Sequence, residues 1–187
     1  MQLEQNDALY PQALLRYLGP DAPPVLSALG DTALLKREKL ALFCSVKCPG
    51  QVILQLYDAA RRWRDNGVTV ISGFHSPMEK ECLEILLRGT QPIIICPARS
   101  LDTLRLPRAW QAPLEQKRLL LLSPFAAPNH RITKKLAHQR NLFIAALAEQ
   151  VLLAHVTPGG QTQALANQIG QWHKPVVNLL KPDAPIV

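Results

Sequence analysis

The sequence predicts a three-layer α/β sandwich, in which helices cover both faces of a mainly parallel sheet of about six strands. Two observations support this prediction. Six short apolar runs, mostly of β-type residues, lack the polar alternation of a half-solvated strand, which indicates strands buried on both faces. Amphipathic segments of helical length separate most of these runs, and such alternation is typical of a parallel sheet.

The predicted elements follow one another through most of the chain. The strands are expected at residues 40–44, 68–72, 92–96, 118–123, 150–156 and 175–180. The helices are expected at residues 51–65, 77–88, 132–149 and 161–173. Pro97, Pro107 and Pro113 interrupt the connection after the third strand, which should therefore lack a full helix. Right-handed crossovers then give a Rossmann-like, doubly wound fold whose ligands bind beyond the carboxyl ends of the strands.

The first 35 residues differ from this pattern. Small helices are expected at residues 8–18 and 24–29, as a short helical extension, 1–35, before a main domain, 36–187. A chain of 187 residues with 48% hydrophobic content is large enough for one proper core. The acidic, polar N-terminus does not resemble a secretion signal, and no apolar run approaches the roughly 18 residues that span a bilayer. A cytoplasmic location is therefore expected.

Positive charge is concentrated in one part of the chain. The formal net charge is +7 and the pI is near 9.5. Between residues 103 and 148, eight lysines and arginines accompany a single acidic residue, Glu115. This concentration favours an anionic partner such as nucleic acid or a nucleotide. The alternative is a solvated basic face that only maintains solubility.

The four cysteines, Cys44, Cys48, Cys82 and Cys96, are expected to be free thiols. They form no paired C-x-x-C motifs, and Cys44 and Cys96 end apolar runs, where small buried residues are common. A metal site made of Cys44, Cys48 and a histidine is the lesser alternative, because zinc sites usually show tighter recurring spacings. Neither a metal nor a cofactor is expected.

The junction after the second predicted strand is the first candidate site. Gly73 permits a close turn, and both Ser72 and Gly73 are expected to face a ligand at the strand's end. Ser76 is a favourable N-cap, Pro77 suits the first helical position, and Glu79 completes a capping box. The last three residues therefore indicate the start of a helix before they indicate binding.

Two further segments are candidate anion sites. In PGGQT, residues 158–162, the amides of Gly160 and Gln161 and the Thr162 hydroxyl precede a helix, where a phosphate group could bind. A flexible loop before an uncapped helix is the alternative. The segment 134–141 places polar and basic groups at helical spacing, namely Lys134, His138 and Asn141, with Arg140 beside them. A solvated basic helix face is the alternative there.

No arrangement for covalent or acid–base catalysis stands out. Acidic residues are scarce in the loops that follow the strands, and the histidines lack obvious partners. The segment GVTVISG does not match the three spaced glycines of dinucleotide-binding folds, and there is no P-loop. A non-enzymatic binding protein is therefore favoured.

The order of these motifs resembles the Rossmann-like core of the bacterial DNA-processing protein A family (DprA, also called Smf) over about residues 10–180. The lead-in YPQALLRYLGPDAPPVLSALGD is similar to the family's Tyr-Pro and Pro-Pro-hydrophobic segments before the first strand. The family's Gly-Ser-Arg motif has counterparts at Ser45 and Lys47, and its Ser-Gly motif matches Ser72 and Gly73. Its Arg-Asn-Arg motif matches Arg140 and Asn141, and its later Gly-containing loop matches Gly159, Gly160 and Thr162. The chain departs from the family pattern at Cys44, Val46, Pro77 and Leu142.

The resemblance implies a homodimeric protein that binds single-stranded DNA and helps to load a recombinase. The DNA contacts that it implies fall on Lys47, Ser72, Gly73, Arg140 and Asn141, and Ser45 is a further candidate for phosphate binding. The basic segment adds Arg131, Lys134 and Lys135 as phosphate contacts, and the glycine-rich loop adds Gly159, Gly160 and Thr162. Phe74 is expected to stack on a base, with Phe125 as a second candidate.

A second resemblance keeps another function open. PGGQT is similar to the Pro-Gly-Gly-x-Gly-Thr loop of lysine-decarboxylase-like (LOG) phosphoribohydrolases, which belong to the same broad superfamily. The glycine before Thr162 and the following glutamate of that motif are missing, so nucleotide hydrolysis is the lesser alternative. A second alternative is a nucleotide-derived ligand held by Ser72, Gly73, Gly159 and Gly160. A third is that the degraded motifs now serve only protein interaction, so that neither DNA nor a nucleotide binds.

Overall fold

The computed structural model describes residues 1–126, 129, 131–177 and 179. Its described residues form one mixed sheet of eight strands, in the order β1-β2-β6-β5-β4-β3-β7-β8. The strands are β1 Gln2–Glu4, β2 Val25–Gly30, β3 Lys39–Cys44, β4 Thr69–Ser72, β5 Ile93–Ile95, β6 Leu119–Ser123, β7 Gln150–His155 and β8 Val176–Val177. The six strands from β3 to β8 pair in parallel, which confirms the predicted α/β fold.

The predicted helices are present between these strands. The helices are α1 Gln12–Leu18, α2 Gly50–Asp65, α3 Pro77–Leu87, α4 Gln111–Glu115, α5 Lys134–Leu147 and α6 Gln161–Gln171. The connection after β5 contains only the five-residue α4 and one turn of 3₁₀ helix, as its prolines predict. No helix in the described ranges is long and apolar enough to cross a membrane.

Two apolar clusters cover the two faces of the sheet. On one face, α1, α5 and α6 pack on strand residues such as Phe43 and Ile94. On the other face, α2 and α3 pack on the alternate residues, such as Leu42 and Ile95. Every residue of β3 is buried, because strand side chains alternate between two covered faces. The sheet therefore has the three-layer arrangement that the apolar runs predict.

The prediction of a helix at residues 24–29 is wrong, because this segment is strand β2. Leu26 and Ala28 are buried, whereas Val25 and Leu29 are 37% and 43% exposed, so burial alternates with the period of a strand. β2 pairs antiparallel with β6, and β1 pairs antiparallel with β2. The first 35 residues thus contribute strands to the sheet as well as α1. The predicted domain boundary at residue 36 stays a prediction.

The strand order reverses between β3 and β7. β3 pairs in parallel with β4 on one side and with β7 on the other. In doubly wound sheets such a reversal opens a crevice beyond the carboxyl ends of the two strands, because their connections leave toward opposite faces. Here α2 follows β3 on one face and α6 follows β7 on the other. The carboxyl rim, formed by the loops that follow β3 to β7, is therefore the place to look for a site.

Candidate functional site

Ser45 ties the two sides of the crevice together. Its hydroxyl donates a hydrogen bond to the Thr162 hydroxyl at 3.1 Å and accepts one from the backbone N–H of Thr157, also at 3.1 Å. Its own N–H donates to the carbonyl of His155. Ser45 is buried, so these bonds fix the loop after β3 against the start of α6. The structure thus brings together Ser45 and Thr162, two predicted site residues.

The glycine-rich loop before α6 leaves the start of that helix open. Gly159 has φ +72°, which favours glycine, and no atom lies within 4 Å of the position of a β-carbon there. Gly160 is the N-cap of α6, and no side chain caps this helix. The N–H of Gly160, a predicted phosphate donor, donates to the carbonyl of Thr157 at 3.0 Å, and the N–H of Gln163 donates to the carbonyl of Gly160 at 3.1 Å. The N–H groups of Gln161 and Thr162 are therefore the ones at this helix start that can bind an anion.

Exposed basic side chains lie along the carboxyl rim. Lys47 follows β3, whereas Arg131, Lys134 and Lys135 follow β6, and all four are exposed. Three strand spacings separate β3 from β6 in the sheet, which is about 14 Å. These side chains can therefore contact successive groups of an extended polyanion, but not one small anion.

The turn after β4 is held by a buried serine. The Ser72 hydroxyl donates to the carbonyl of Leu42 at 2.8 Å and accepts from the N–H of Phe74 at 3.1 Å. Ser72 is completely buried, so its side chain positions the turn and does not reach a ligand. Phe74 has φ 45° and is only 5% exposed. The prediction that Phe74 presents a free ring to a base is wrong, because its ring packs in the apolar cluster under α2 and α3. Phe125 is also buried.

Arg140 is a buried residue and not a surface contact. It is 5% exposed, and its guanidinium donates through Nη1 to the carbonyl of Cys96 at 3.1 Å and through Nε to Oδ1 of Asn141 at 2.8 Å. Burial lowers the pKa of Arg140, and the Glu79 charge partly offsets this effect. A β-carbon at Gly73 would lie 1.6 Å from Nη1, so only glycine leaves room for the guanidinium. The prediction of a direct phosphate contact by Arg140 does not fit this position.

The Glu79 carboxylate bonds to the end of β3 as well as capping α3. One carboxylate oxygen accepts from the N–H of His75 at 2.8 Å and of Ser76 at 3.3 Å, while Ser76 caps the N–H of Glu79, which confirms the capping box. The other oxygen accepts from the N–H of Cys44 at 3.0 Å. The same buried carboxylate therefore joins the end of β3 to the start of α3. The capping box was the only sequence signal for it.

The four cysteines are free thiols. Burial raises the pKa of the Cys44 and Cys96 thiols and raises that of Cys82 to about 12. Within the ranges that the structure describes, no group of three or more His, Cys, Asp or Glu side chains could hold a metal ion.

Comparisons with known proteins give one family and a consistent fold. The family model of DNA recombination-mediator protein A matches residues 2–179. No curated protein matches significantly. The structure of DNA processing protein A (DprA) from Streptococcus pneumoniae is similar, with a TM-score of 0.77, 22% identity, and coverage of 94% of this chain and 61% of that one. The protein therefore spans about three fifths of that relative's length.

A second solved structure is similar over a larger share of its length. DNA processing protein A from Helicobacter pylori, described for its single-stranded DNA binding mode, matches with a TM-score of 0.73 and 21% identity. The match covers 94% of this chain and 78% of that one. At such identities these two likenesses support the fold.

Proposed function

Because the chain belongs to the DNA recombination-mediator protein A family, we propose that it binds single-stranded DNA at the carboxyl rim and acts in DNA uptake or recombination. The observation that supports this most directly is the row of exposed basic side chains along that rim, from Lys47 to Arg131 and Lys134. Lysine and arginine bind nucleic-acid backbones mainly through their phosphates. The protein would act by binding, without catalysis, in the cytoplasm.

In this proposal the crevice holds one phosphate of the strand. The uncapped first turn of α6, behind Gly159 and Gly160, offers N–H groups to it. The bond between Ser45 and Thr162 fixes the loop after β3 beside this turn, and Lys47 lies two residues after Ser45 in that loop. Arg140 is buried and supports the rim from below, whereas Gly73 and Asn141 beside it are half-buried and are available to the strand.

Base stacking contributes little in this proposal. Phe74 and Phe125 are both buried, so neither ring is free to stack on a base. Affinity then comes from phosphate contacts, which release counterions and make binding strongly dependent on salt. We expect weak discrimination between homopolymers.

Binding of a labelled oligo-dT, measured by fluorescence anisotropy at several salt concentrations, tests the proposal. Replacing Lys47 by Ala should weaken binding and reduce the slope of log K against log salt by about one, and Lys134→Ala should do the same. The matched control is Lys36→Ala, which removes an equal charge at the opposite edge, before β3. Equal effects of the rim and control variants would contradict a site at the rim, and absence of salt-sensitive binding would contradict the function.

We also propose that the protein acts as a homodimer and helps to load a recombinase, as the family resemblance implies. Light scattering at increasing protein concentration tests the dimer, which should appear at twice the 20.8 kDa mass of the chain. Recombinase filament formation on single-stranded DNA, measured with and without the protein, tests recombinase loading. A monomer at all concentrations would contradict the homodimer, and unchanged filament formation would contradict recombinase loading.

A nucleotide-derived small ligand is the second candidate. The observation that favours it is the open α6 terminus behind Gly159 and Gly160, which suits a single phosphate. A thermal-shift comparison of mononucleotides with oligonucleotides separates the candidates, because only a ligand that binds the native state raises the melting temperature. Stabilisation by a mononucleotide alone would favour this second function.

A further inference from the structure

A second cleft lies at the edge of the sheet opposite the carboxyl rim, among residues that come shortly before β4, β5 and β6. Its volume is about 480 Å³, which is within the range of small-molecule sites. The polar residues that line this amino-edge cleft are Asp31, Arg37, Thr90, Gln91, Lys117 and Arg118. The five residues of β6 span about 16 Å, so one small group cannot occupy this cleft and the carboxyl rim together.

Positive charge dominates the amino-edge cleft. Arg37, Lys117 and Arg118 line it, and Asp31 is the one acidic residue among the described lining residues. The Asp31 carboxylate accepts a hydrogen bond from the N–H of Ala33 at 2.9 Å and so caps the short 3₁₀ helix after β2. The ion pairs found among the described residues involve none of the three cations. The cleft therefore favours an anion.

Packing accounts for only part of the Arg118 side chain. Nη2 donates to the carbonyl of Leu87, the last residue of α3, at 2.9 Å, and Nε donates to Oε1 of Gln116 at 2.9 Å. Nη1 is buried and has no hydrogen-bond partner among the described residues. Burial also lowers the pKa of Arg118, because the charged guanidinium is poorly solvated there. A bound anion would supply the missing partner and offset the lost solvation.

A buried acceptor that lines the same cleft also lacks a partner. Gln91 is 2% exposed, and its Nε2 donates to the carbonyl of Leu86 at 2.6 Å. Its Oε1 has no hydrogen-bond partner within the part of the chain that the structure describes. Buried polar atoms are nearly always hydrogen-bonded, so an unpaired acceptor in a cleft indicates a ligand that carries a donor, such as a hydroxyl group.

Lys117 has a backbone conformation that favours glycine. Its φ is 57°, and its N–H donates to the carbonyl of Leu114 at 3.0 Å in the turn that ends α4. A lysine at such a position costs conformational free energy that glycine would not, and strained residues of this kind cluster at ligand sites. The Lys117 side chain is exposed and lines the cleft, where a cation can contact a bound anion.

We propose that the amino-edge cleft binds a phosphate monoester through Arg37, Lys117 and Arg118, with Oε1 of Gln91 accepting a hydroxyl of the ligand. A monoester carries nearly two negative charges at pH 7 and three acceptor oxygens. An internal phosphate of DNA is a diester with one charge, so it matches the three cations less well. A free sugar phosphate or nucleotide and the 5′-phosphate end of a DNA strand share this chemistry. The site does not depend on DNA binding at the carboxyl rim.

Isothermal titration calorimetry of the full chain with thymidine 5′-monophosphate, at constant ionic strength, tests the site. We expect saturable binding of one molecule, about tenfold or more tighter than the binding of thymidine or of the methyl diester of the same nucleotide. Equal binding of the monoester and the diester would overturn the proposal, and so would absence of binding by both thymidine 5′-monophosphate and a 5′-phosphorylated oligo-dT.

Lys117→Gly is the most informative variant, because it removes one charge and relieves the positive φ. It should weaken binding of the monoester about tenfold without lowering the midpoint of thermal unfolding, so misfolding cannot explain the loss. Arg37→Ala should weaken binding to a similar extent. Lys36→Ala is the matched control, since it removes an equal charge one residue from Arg37, outside the lining of the cleft. Equal losses in Lys36→Ala and Arg37→Ala, or full binding by Lys117→Gly, would overturn the site.

Two oligonucleotides distinguish the sources of the phosphate. Tighter binding of a 5′-phosphorylated oligo-dT than of the same strand with a 5′-hydroxyl, lost in Lys117→Gly, would assign the cleft to DNA ends. Equal binding of both strands, with saturable binding of thymidine 5′-monophosphate, would assign it to a small molecule. Loss of monoester binding in Lys47→Ala but not in Lys117→Gly would place the ligand at the carboxyl rim and overturn the proposal. If neither strand binds, the proposed function fails, while the monoester titration still decides the cleft.

Discussion

At Gly73 the backbone passes so close to Arg140 that no side chain fits between them. A β-carbon there would lie 1.6 Å from Nη1 and 2.1 Å from Cζ of Arg140. The guanidinium in turn holds the carbonyl of Cys96 at the end of β5. Gly73 and Arg140 therefore act as one structural unit under the carboxyl rim, and the rim's shape depends on both.

A double-mutant cycle should reveal this unit. Arg140→Ala leaves the Cys96 carbonyl without its donor and should lower the free energy of unfolding by about 1–3 kcal/mol. Gly73→Ala should cost a similar amount, because the new methyl group displaces the guanidinium. In the Arg140→Ala background, Gly73→Ala should cost less, with a coupling energy of about 0.5–3 kcal/mol. Urea unfolding of the four proteins measures each term.

Gly50→Ala is the control for the glycine substitution. No atom lies within 4 Å of a β-carbon at Gly50, and this residue begins α2 without a positive φ. Its substitution should therefore be neutral or slightly stabilising. Additive effects of Gly73→Ala and Arg140→Ala would show that the guanidinium does not occupy the space beside Gly73.

The sequence predicted where single residues lie in the fold better than it predicted whether their side chains are exposed. Gly73 and Arg140 lie at the carboxyl rim as the sequence predicts, but Arg140 and Phe74 are buried there. Local sequence could not reveal this, because the space beside Gly73 depends on a helix that begins about 60 residues later in the chain. Glu79 shows the opposite case, since its capping box is a local signal with a fixed spacing.

Helix α5 has a different environment at each end. Lys134 and Lys135 begin it at the exposed rim, and its last turns are buried. At its C-terminal end the Lys174 ammonium donates to the carbonyls of Ala146 and Ala148 and lies 4.1 Å from the centre of the Tyr17 ring. Helix C-terminal carbonyls need such donors, so Lys174 completes the helix.

The stability that depends on Lys174 should increase with pH. Burial lowers the pKa of Lys174 to about 8, with Glu149 raising it and Lys39 and Arg16 lowering it. Between that value and the ordinary lysine pKa of about 10.4, the unfolded chain binds more protons than the folded one. The difference in unfolding free energy between the wild type and Lys174→Met should therefore shift in favour of the wild type from pH 7 to pH 10, as measured in urea.

Lys36→Met provides the comparison, because Lys36 is exposed and has no such environment. Other titrating groups cancel in each difference between wild type and variant. A Lys174 difference that stays flat or moves against the wild type as pH rises would mean that the ammonium is not penalised by burial.

The elements that the sequence predicts best are the strands that stand out as continuous apolar runs in their own local sequence. The six parallel strands have apolar residues on both faces, as β3 shows, and such runs cannot be solvated. β2 is as long as β3, but Ser27, Ala28 and Gly30 interrupt its run of β-type residues, and it becomes a strand because β6 offers it a free edge. That edge is tertiary information, so the segment around Leu26 could not be assigned from its own residues.

In the whole molecule, the N-terminal strands protect the sheet at the β6 side. Without β2, β6 would be a flat, apolar edge strand, which is a common site of aggregation. Leu3, Leu14 and Leu26 are fully or almost fully buried and pack in the same cluster as Phe143 of α5. The first 35 residues are therefore joined to the core through both backbone pairing and side-chain packing.

A chain that begins at residue 36 should not fold as the whole protein does. Removing the buried Leu3, Leu14 and Leu26 forfeits about 1.5–3 kcal/mol of burial for each side chain, and a whole domain is stable by only about 5–15 kcal/mol. We expect the shortened chain to lose its cooperative thermal transition in circular dichroism and to bind a hydrophobic dye. A truncation that removes Met1 alone is the control and should keep the transition. If the shortened chain unfolds cooperatively at an unchanged midpoint, the predicted boundary at residue 36 is a true domain boundary, and β1 and β2 are dispensable additions to the sheet.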